Sequence, residues 1–310
     1  MDLKPVGIWT GQLDYQPANQ TKEAVAELEE LGYGAVWVGE AVGREALSNA
    51  GLLLSATRRL VVATGIANIW VRDALAMVAG QNTLAEAYPE RFLLGLGVSH
   101  APLIEGMRGH HYQRPLAAMR QYLDAMDEVV SSYRAVPPGT PPPRVLAALG
   151  PKMLTLAAKR AQGAHSYFVP PEHTAQARDQ LGPDSWLIPE QAVVLENDSE
   201  RAREIARRHT SRYLRLPNYT NNLRRLGFGD EDLAGSGSDR LVDATVAWGD
   251  ENAIVSRVRA HLNAGADHVC VQVLDPDRRG LPAAQWRRLA PALLETDSPR
   301  RREQPETGPT

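Results

Sequence analysis

Two neighbouring stretches decide how the chain is read: RLVVATGIANIW at 59–70 and ERFLLGLGVSH at 90–100. The apolar runs Leu60–Ala63 and Phe92–Leu96 have strand length, and each ends in a glycine-containing polar turn, Gly65–Asn68 and Gly97–His100. Between them, Asp73–Tyr88 has the length and the Ala/Leu/Met content of a packed helix. Strand, helix, strand is a βαβ unit, and a helical crossover implies parallel strands. The residues in both turns suit a ligand better than a core.

The rest of the chain repeats this unit. Upstream, Val6–Trp9 and Ala35–Val38 read as strands separated by a helix over Asn19–Leu31, with Asn19 as its expected cap and Gly32 as its stop. Leu47–Thr57 reads as the next helix. Downstream, Arg144–Ala148, Ala164–Val169, Gln191–Leu195 and His268–Leu274 complete a set of eight expected strands. Helices are expected over Pro115–Tyr133, Lys152–Gln162, Pro171–Leu181, Ser199–Leu214, Asn252–Ala264 and Ala283–Leu294. Two polar excursions, 98–114 and 215–250, interrupt the alternation, and 296–310 reads as a disordered tail. Eight alternating units predict an α/β fold closed as a (β/α)8 TIM barrel in one domain over 1–295. An open doubly wound sheet is the weaker alternative, because the first strand-to-helix turn lacks the G-x-G-x-x-G pattern.

Composition narrows the function. A net charge of −3, with no block of like charge, argues against a nucleic-acid groove. No apolar run approaches the roughly 18 residues that span a membrane. With an apolar strand-like run at the start and a single cysteine, Cys270, the expectation is a cytoplasmic protein without a signal peptide or internal disulfide. In a barrel, the residues just after each strand share one mouth. Here they include Trp9, Thr10, Glu40, Asn68, Trp70, His100, Tyr167 and Asp275. Only one of these is a histidine, so no metal site is expected. None is a lysine, which disfavours Schiff-base chemistry. The turn Leu149-Gly150-Pro151-Lys152 opens a helix directly, and free N–H groups beside a cation make it a candidate phosphate turn.

The motifs GYGAVWVGE (32–40), ATGIANIWVRD (63–73), ERFLLGLGVSH (90–100) and LAALGPKMLTLAAKRAQGA (146–164), in this order and spacing, resemble the luciferase-like flavin/deazaflavin oxidoreductases, in particular their F420-dependent branch. SHAPL, LPNYTNNLRRLGF and GADHVCVQVL add to the similarity, which extends over about residues 3–294. The resemblance implies a two-electron oxidoreductase in which coenzyme F420, or alternatively FMN, exchanges a hydride with a small organic substrate: a carbonyl or alcohol, an imine or an activated alkene. An FMN-dependent monooxygenase and a non-catalytic flavin-binding subunit are the rival readings. In the family resembled, a homodimer is common.

Position by position, the resemblance implies the following. Gly65 and Ile66 carry a non-proline cis peptide in a strand bulge behind the cofactor ring. Asn68 contacts the ring or its ribityl chain, and Glu40 lies near the ring-bearing part. Val98 and Ser99 run beside the cofactor tail. Leu149, Gly150 and Lys152 hold the phosphate. His100 takes the position facing the reactive ring carbon, where a histidine suits proton transfer beside a hydride step. Beside what the resemblance implies, Trp9, Trp70 and Tyr167 are candidates for the apolar substrate walls, and Arg108 with the excursion Leu216–Gly229 (Asn218, Tyr219, Asn222) is a candidate lid or cofactor-tail contact. Two departures block a more specific assignment. Ala41 and His100 stand where the family's sugar-phosphate dehydrogenases place a histidine and a glutamate, so that activity is not carried over.

Overall fold

The computed structural model describes residues 1–295. The tail 296–310, expected to be disordered, lies outside the described residues. Among the described residues there are ten strands: β1 (Val6–Trp9), β2 (Ala35–Val38), β3 (Val61–Thr64), β4 (Ala67–Asn68), β5 (Phe92–Gly97), β6 (Arg144–Ala147), β7 (Gly163–Ser166), β8 (Trp186–Val194), β9 (Val246–Trp248) and β10 (Val269–Val273). All their pairings are parallel, and eight of the ten, all but β4 and β9, form a ring that closes through β8–β10 and β10–β1. This is the expected (β/α)8 barrel.

The alternation of side chains along each strand makes two separate cores. Ala35 and Trp37 of β2, Val61 and Ala63 of β3, Leu93 of β5, Val145 of β6, Ile188 of β8 and Cys270 of β10 fill the barrel interior. Their neighbours Val36, Val38, Val62, Leu94, Leu96 and Leu146 pack outward under the helices. The interior also carries polar rings: Trp37 stacks on His165, 4.8 Å between centroids, and its Nε1 donates to His268 Nε2 at 3.1 Å.

Several local expectations change. Asn19 lies inside the helix Ala18–Leu31, whose N-cap is Pro17, while Gly32 ends that helix at φ 98°. β8 is longer than the expected Gln191–Leu195, because Pro189 does not end it: pairing with β7 runs over Trp186–Pro189 and pairing with β10 over Glu190–Val193. Pro189 therefore sits where one neighbour hands over to the other, which is where a missing N–H is best tolerated. β7 stops at Ser166, short of the expected Val169, because Phe168 turns into the left-handed region at φ 57°. The second excursion is largely ordered, holding the helices Pro217–Arg225, Asp230–Leu233 and Asp239–Thr245 and then β9.

Gly95 and Gly97 explain how the opening stretch folds. A Cβ on Gly95 would lie 2.0 Å from the Thr64 carbonyl oxygen, and one on Gly97 would lie 2.4 Å from Ile66 Cγ1. Glycine at both places lets the irregular backbone between β3 and β4 lie against β5. Thr64 fastens it, its Oγ1 donating to Gly95 O and accepting from Gly95 N, both at 2.8 Å. The Gly65–Ile66 peptide within this bulge is cis, as the resemblance implied.

Candidate active site

The strand ends open into one cavity of about 1500 Å³. Of the residues singled out from the sequence, Trp9, Glu40, Gly65, Ile66, Val98, Ser99, His100, Leu149, Gly150, Lys152 and Tyr167 line it. Asn68 and Trp70 do not. Asn68 is fully buried: its N–H donates to Glu40 Oε2 at 2.8 Å and its Oδ1 accepts from Trp70 N at 3.0 Å. Trp70 borders a separate depression and donates from Nε1 to Val98 O at 3.0 Å. It clamps the segment after β5 from outside. Tyr112, which the sequence did not single out, completes the clamp by donating its hydroxyl to Ser99 O at 3.0 Å. Ser99 itself is left-handed, φ 54°, and starts the turn that delivers His100 as the N-cap of a short helix, Ala101–Ile104.

Glu40 is not a free carboxylate. It accepts from Ala46 N at 3.0 Å and from Asn68 N, and it is ion-paired with Arg72. Four donors around one buried carboxylate use its lone pairs. Its role here is to join the end of β2 to the bulge at β4. Arg108 makes a second tie across the mouth, Nη2 to Ala41 O at 2.8 Å.

His100 is held by the second excursion. Its ring lies 5.5 Å from that of Tyr219, and the Asn218 side chain stands beside it. Burial pushes the His100 pKa below the usual 6.5, and the Asn218 side chain partly opposes this. From Tyr219 the aromatic wall continues: Tyr219 to Tyr213 at 5.0 Å, Tyr213 to Tyr167 at 5.2 Å, and Tyr167 to Trp9 at 5.4 Å. A directed chain of hydrogen bonds runs through it, from Tyr213 hydroxyl to Tyr167 hydroxyl at 2.9 Å and from Tyr167 hydroxyl to Gln272 Oε1 at 2.6 Å. Burial holds the Tyr213 pKa up at about 12, so it is a neutral donor near pH 7.

The turn Leu149-Gly150-Pro151-Lys152 opens a helix directly, as expected, and gains a neighbour. Gly150 caps the helix Pro151–Arg160, and Leu149 O is fixed by His173 Nε2 at 2.8 Å. Arg225, at the end of the helix Pro217–Arg225, brings Nη2 to 3.4 Å from where a Gly150 Cβ would stand. That space exists because residue 150 is glycine. Lys152, Arg208, Arg212 and Arg225 all line the cavity, as do the aromatic rings of Trp9, Tyr167, Tyr219 and His100. Arg225 lay within the quoted LPNYTNNLRRLGF motif, but nothing local distinguished it from its neighbour Arg224, which pairs outward with Asp230.

Three further buried groups escaped the sequence reading. His165 Nε2, His209 Nε2 and Glu190 Oε1 have no hydrogen-bond partner. Burial lowers His165 to a pKa of about 4 and His209 to about 3, and raises Glu190 to about 8. Among the described residues, no group of three or more His, Cys, Asp or Glu side chains is placed to hold a metal ion, and no helix is long and apolar enough to cross a membrane.

Comparison with known proteins places this architecture. An F420-dependent secondary alcohol dehydrogenase, solved with an F420–acetone adduct, superposes with a TM-score of 0.74 at 15% identity, covering 94% of this chain and 99% of that one. The coenzyme F420-dependent tetrahydromethanopterin reductase of Methanopyrus kandleri gives 0.69 at 16% identity, with 95% and 99% covered. A type II Baeyer-Villiger monooxygenase component from Pseudomonas putida, solved with FMN, gives 0.69 at 13%, with 96% and 98% covered. At these identities the likeness is one of fold. A Mycobacterium tuberculosis protein with the provisional name coenzyme F420-dependent oxidoreductase is 30% identical over 204 residues, which span 57% of this chain and 59% of that protein. The family model for luciferase-like monooxygenases matches residues 4–268, the whole of the barrel up to its last strand, so the chain belongs to the luciferase-like monooxygenase family.

Proposed function

We propose that the protein is an F420-dependent oxidoreductase acting on a small organic carbonyl, alcohol, imine or activated alkene. The observation that carries this reading is the make-up of the cavity lining. It combines the cations Lys152, Arg225, Arg208 and Arg212 with an aromatic wall that ends at His100. An elongated cofactor with an anionic tail and a flat ring matches both kinds of group. The name of the mycobacterial relative supports F420 over FMN, and so does the number of cations, since F420 carries carboxylates beyond its phosphate.

The residues fit such a group. The Gly150 turn, Lys152 and Arg225 would hold the phosphate, and the Gly65–Ile66 bulge with Trp9 would support the ring. When bound, the deazaflavin supplies hydride transfer. The protein positions the substrate against Trp9, Tyr167 and Tyr219, and His100 exchanges a proton with its reacting oxygen or nitrogen. A pKa lowered by burial keeps the His100 imidazole neutral at pH 7, the state that accepts a proton when an alcohol is oxidised; in the reducing direction the protonated imidazole donates it to the substrate oxygen or nitrogen.

Titration of the purified protein with F420 and with FMN, followed by fluorescence, tests the cofactor. A panel of carbonyls, enones and imines with the reduced form of the tighter binder tests the reaction. Tighter FMN binding with oxygen-dependent turnover would replace this reading with a monooxygenase. Cofactor binding without turnover on any of these substrates would point to a binding subunit.

A further inference from the structure

His165 carries an inference that rests on the cofactor reading above and sharpens it. We infer that His165 Nε2 accepts a hydrogen bond from the hydroxyl on the benzenoid end of a deazaflavin ring, and that this contact discriminates the hydroxylated ring from a methyl-substituted flavin ring.

His165 stands on β7, points into the barrel and is 2% exposed. Its Nδ1 lies 2.9 Å from Ile188 O. A carbonyl only accepts, so Nδ1 carries the hydrogen, and the neutral ring is left with a bare lone pair at Nε2. That atom has no partner in the protein, yet the residue lines the cavity. It lies 3.2 Å from the point where a Gly65 Cβ would stand, and Trp9 Nε1 is 2.7 Å from the same point, so the Trp9 indole covers Nε2 and has to shift for a ligand to reach it. Trp9 Nε1 is itself committed to Gly65 O at 3.0 Å. Trp9, Val38, Ile66 and Ala147 line the same cavity, and none of their side chains offers a free acceptor, so Nε2 is the acceptor on which this part of the inference rests.

The two ends of a flavin-type ring differ in what they need. The pyrimidine end carries two carbonyls and an N–H. Against this lining both carbonyls would be unpaired, at roughly 1–3 kcal/mol each. The benzenoid end of F420 carries one hydroxyl, whose single proton matches the single acceptor. FMN has a methyl group there, so Nε2 would stay buried without a partner. A site built around a hydroxyl donor rejects the analogue that lacks it far more strongly than an apolar pocket rejects an added group.

The test uses two rings without phosphate, 8-hydroxy-5-deazariboflavin and 7-demethyl-5-deazariboflavin, both without a 7-methyl group, the second carrying a methyl group in place of the hydroxyl. The wild-type protein is expected to bind the hydroxylated ring at least about tenfold more tightly, since the contact costs the other ring a buried hydrogen bond. The absorbance of the bound ring should be that of the protonated hydroxyl. His165→Asn keeps a donor near Ile188 O but removes the group at the Nε2 position. It should bring the affinity ratio close to one without changing affinity for the methylated ring, and that unchanged affinity also shows that the variant is folded. His165→Gln, whose longer amide reaches the Nε2 position, should restore part of the preference. A ratio that survives His165→Asn, or a hydroxylate spectrum in the wild type, overturns the inference while leaving the cofactor reading intact. Failure of the wild type to bind either ring overturns the cofactor reading and the inference with it. Should His165→Asn misfold, the wild-type ratio and spectrum decide: no preference, or the hydroxylate band, rejects the role of His165.

Discussion

The Arg72 guanidinium closes on the Glu40 carboxylate, and with side chains 10% and 3% exposed the two form a buried ion pair. The pair links three parts of the chain, because Glu40 also receives Asn68 N and Ala46 N, and Arg72 also reaches Glu45. Removing the cation leaves a buried carboxylate uncompensated, which costs about 3–5 kcal/mol. Arg72→Met should therefore lower the urea midpoint markedly. Glu40→Gln, which leaves no buried negative charge, should lower it less. Equal losses in the two variants would show that the charge itself is not what matters.

His100 stands at the end of the aromatic wall with the Asn218 side chain beside it. His100→Ala should slow turnover of reduced cofactor by about a hundredfold or more if it carries the proton, with cofactor affinity unchanged. Near-normal rates would remove that role. Because the Asn218 side chain raises the His100 pKa against burial, Asn218→Ala should move the corresponding limb of the pH–rate profile to lower pH.

Arg225 faces the Gly150 turn and also donates to Asn222 Oδ1 at 3.0 Å. A hydrogen bond to a charged group contributes about 1.5–3 kcal/mol, so Arg225→Ala should weaken F420 binding by about tenfold or more. Binding of the phosphate-free 8-hydroxy-5-deazariboflavin should not change. Parallel losses for both ligands would mean that Arg225 supports the excursion rather than the phosphate.

Stability should depend on pH in opposite senses on the two sides of neutrality. His165, His209 and His261 are held neutral in the fold, at pKa values of about 4, 3 and 3. The unfolded chain takes up protons on them below about pH 6.5, so stability falls as pH drops through that range. Glu190 is the reverse case, raised to about 8. The fold retains a proton there that the unfolded chain has lost, so stability also falls as pH rises toward 8. Urea unfolding across pH 4–9 should show a maximum near pH 6–7. Glu190→Gln preserves an acceptor for Phe168 N and should flatten the alkaline side, whereas an unchanged alkaline slope would assign it to other groups.

The sequence by itself determined what depends on short-range patterning. Alternating apolar runs and helical segments were enough for the barrel, because each crossover between parallel strands needs its own helix. Gly65, Gly97 and Gly150 marked the turns around the cavity, and the Leu149–Lys152 turn was legible because Pro151 and Gly150 set a helix start directly after a strand. What only the tertiary structure decided is which long-range partner each side chain meets. Trp70 sits among the strand-end residues in sequence, yet it turns outward and donates to Val98 O. Pro189 reads locally as a strand breaker and is tolerated because β8 changes partners there. Arg225 and Arg224 are adjacent and chemically identical, and only the packing of their helix sends one toward Gly150 and the other toward Asp230. His165 is the strongest case. In sequence it is one polar residue within an expected apolar strand, and its unpaired Nε2 matters only because Ile188, Trp37 and Gly65, each far away along the chain, fix its tautomer, its stacking and its place against the bulge.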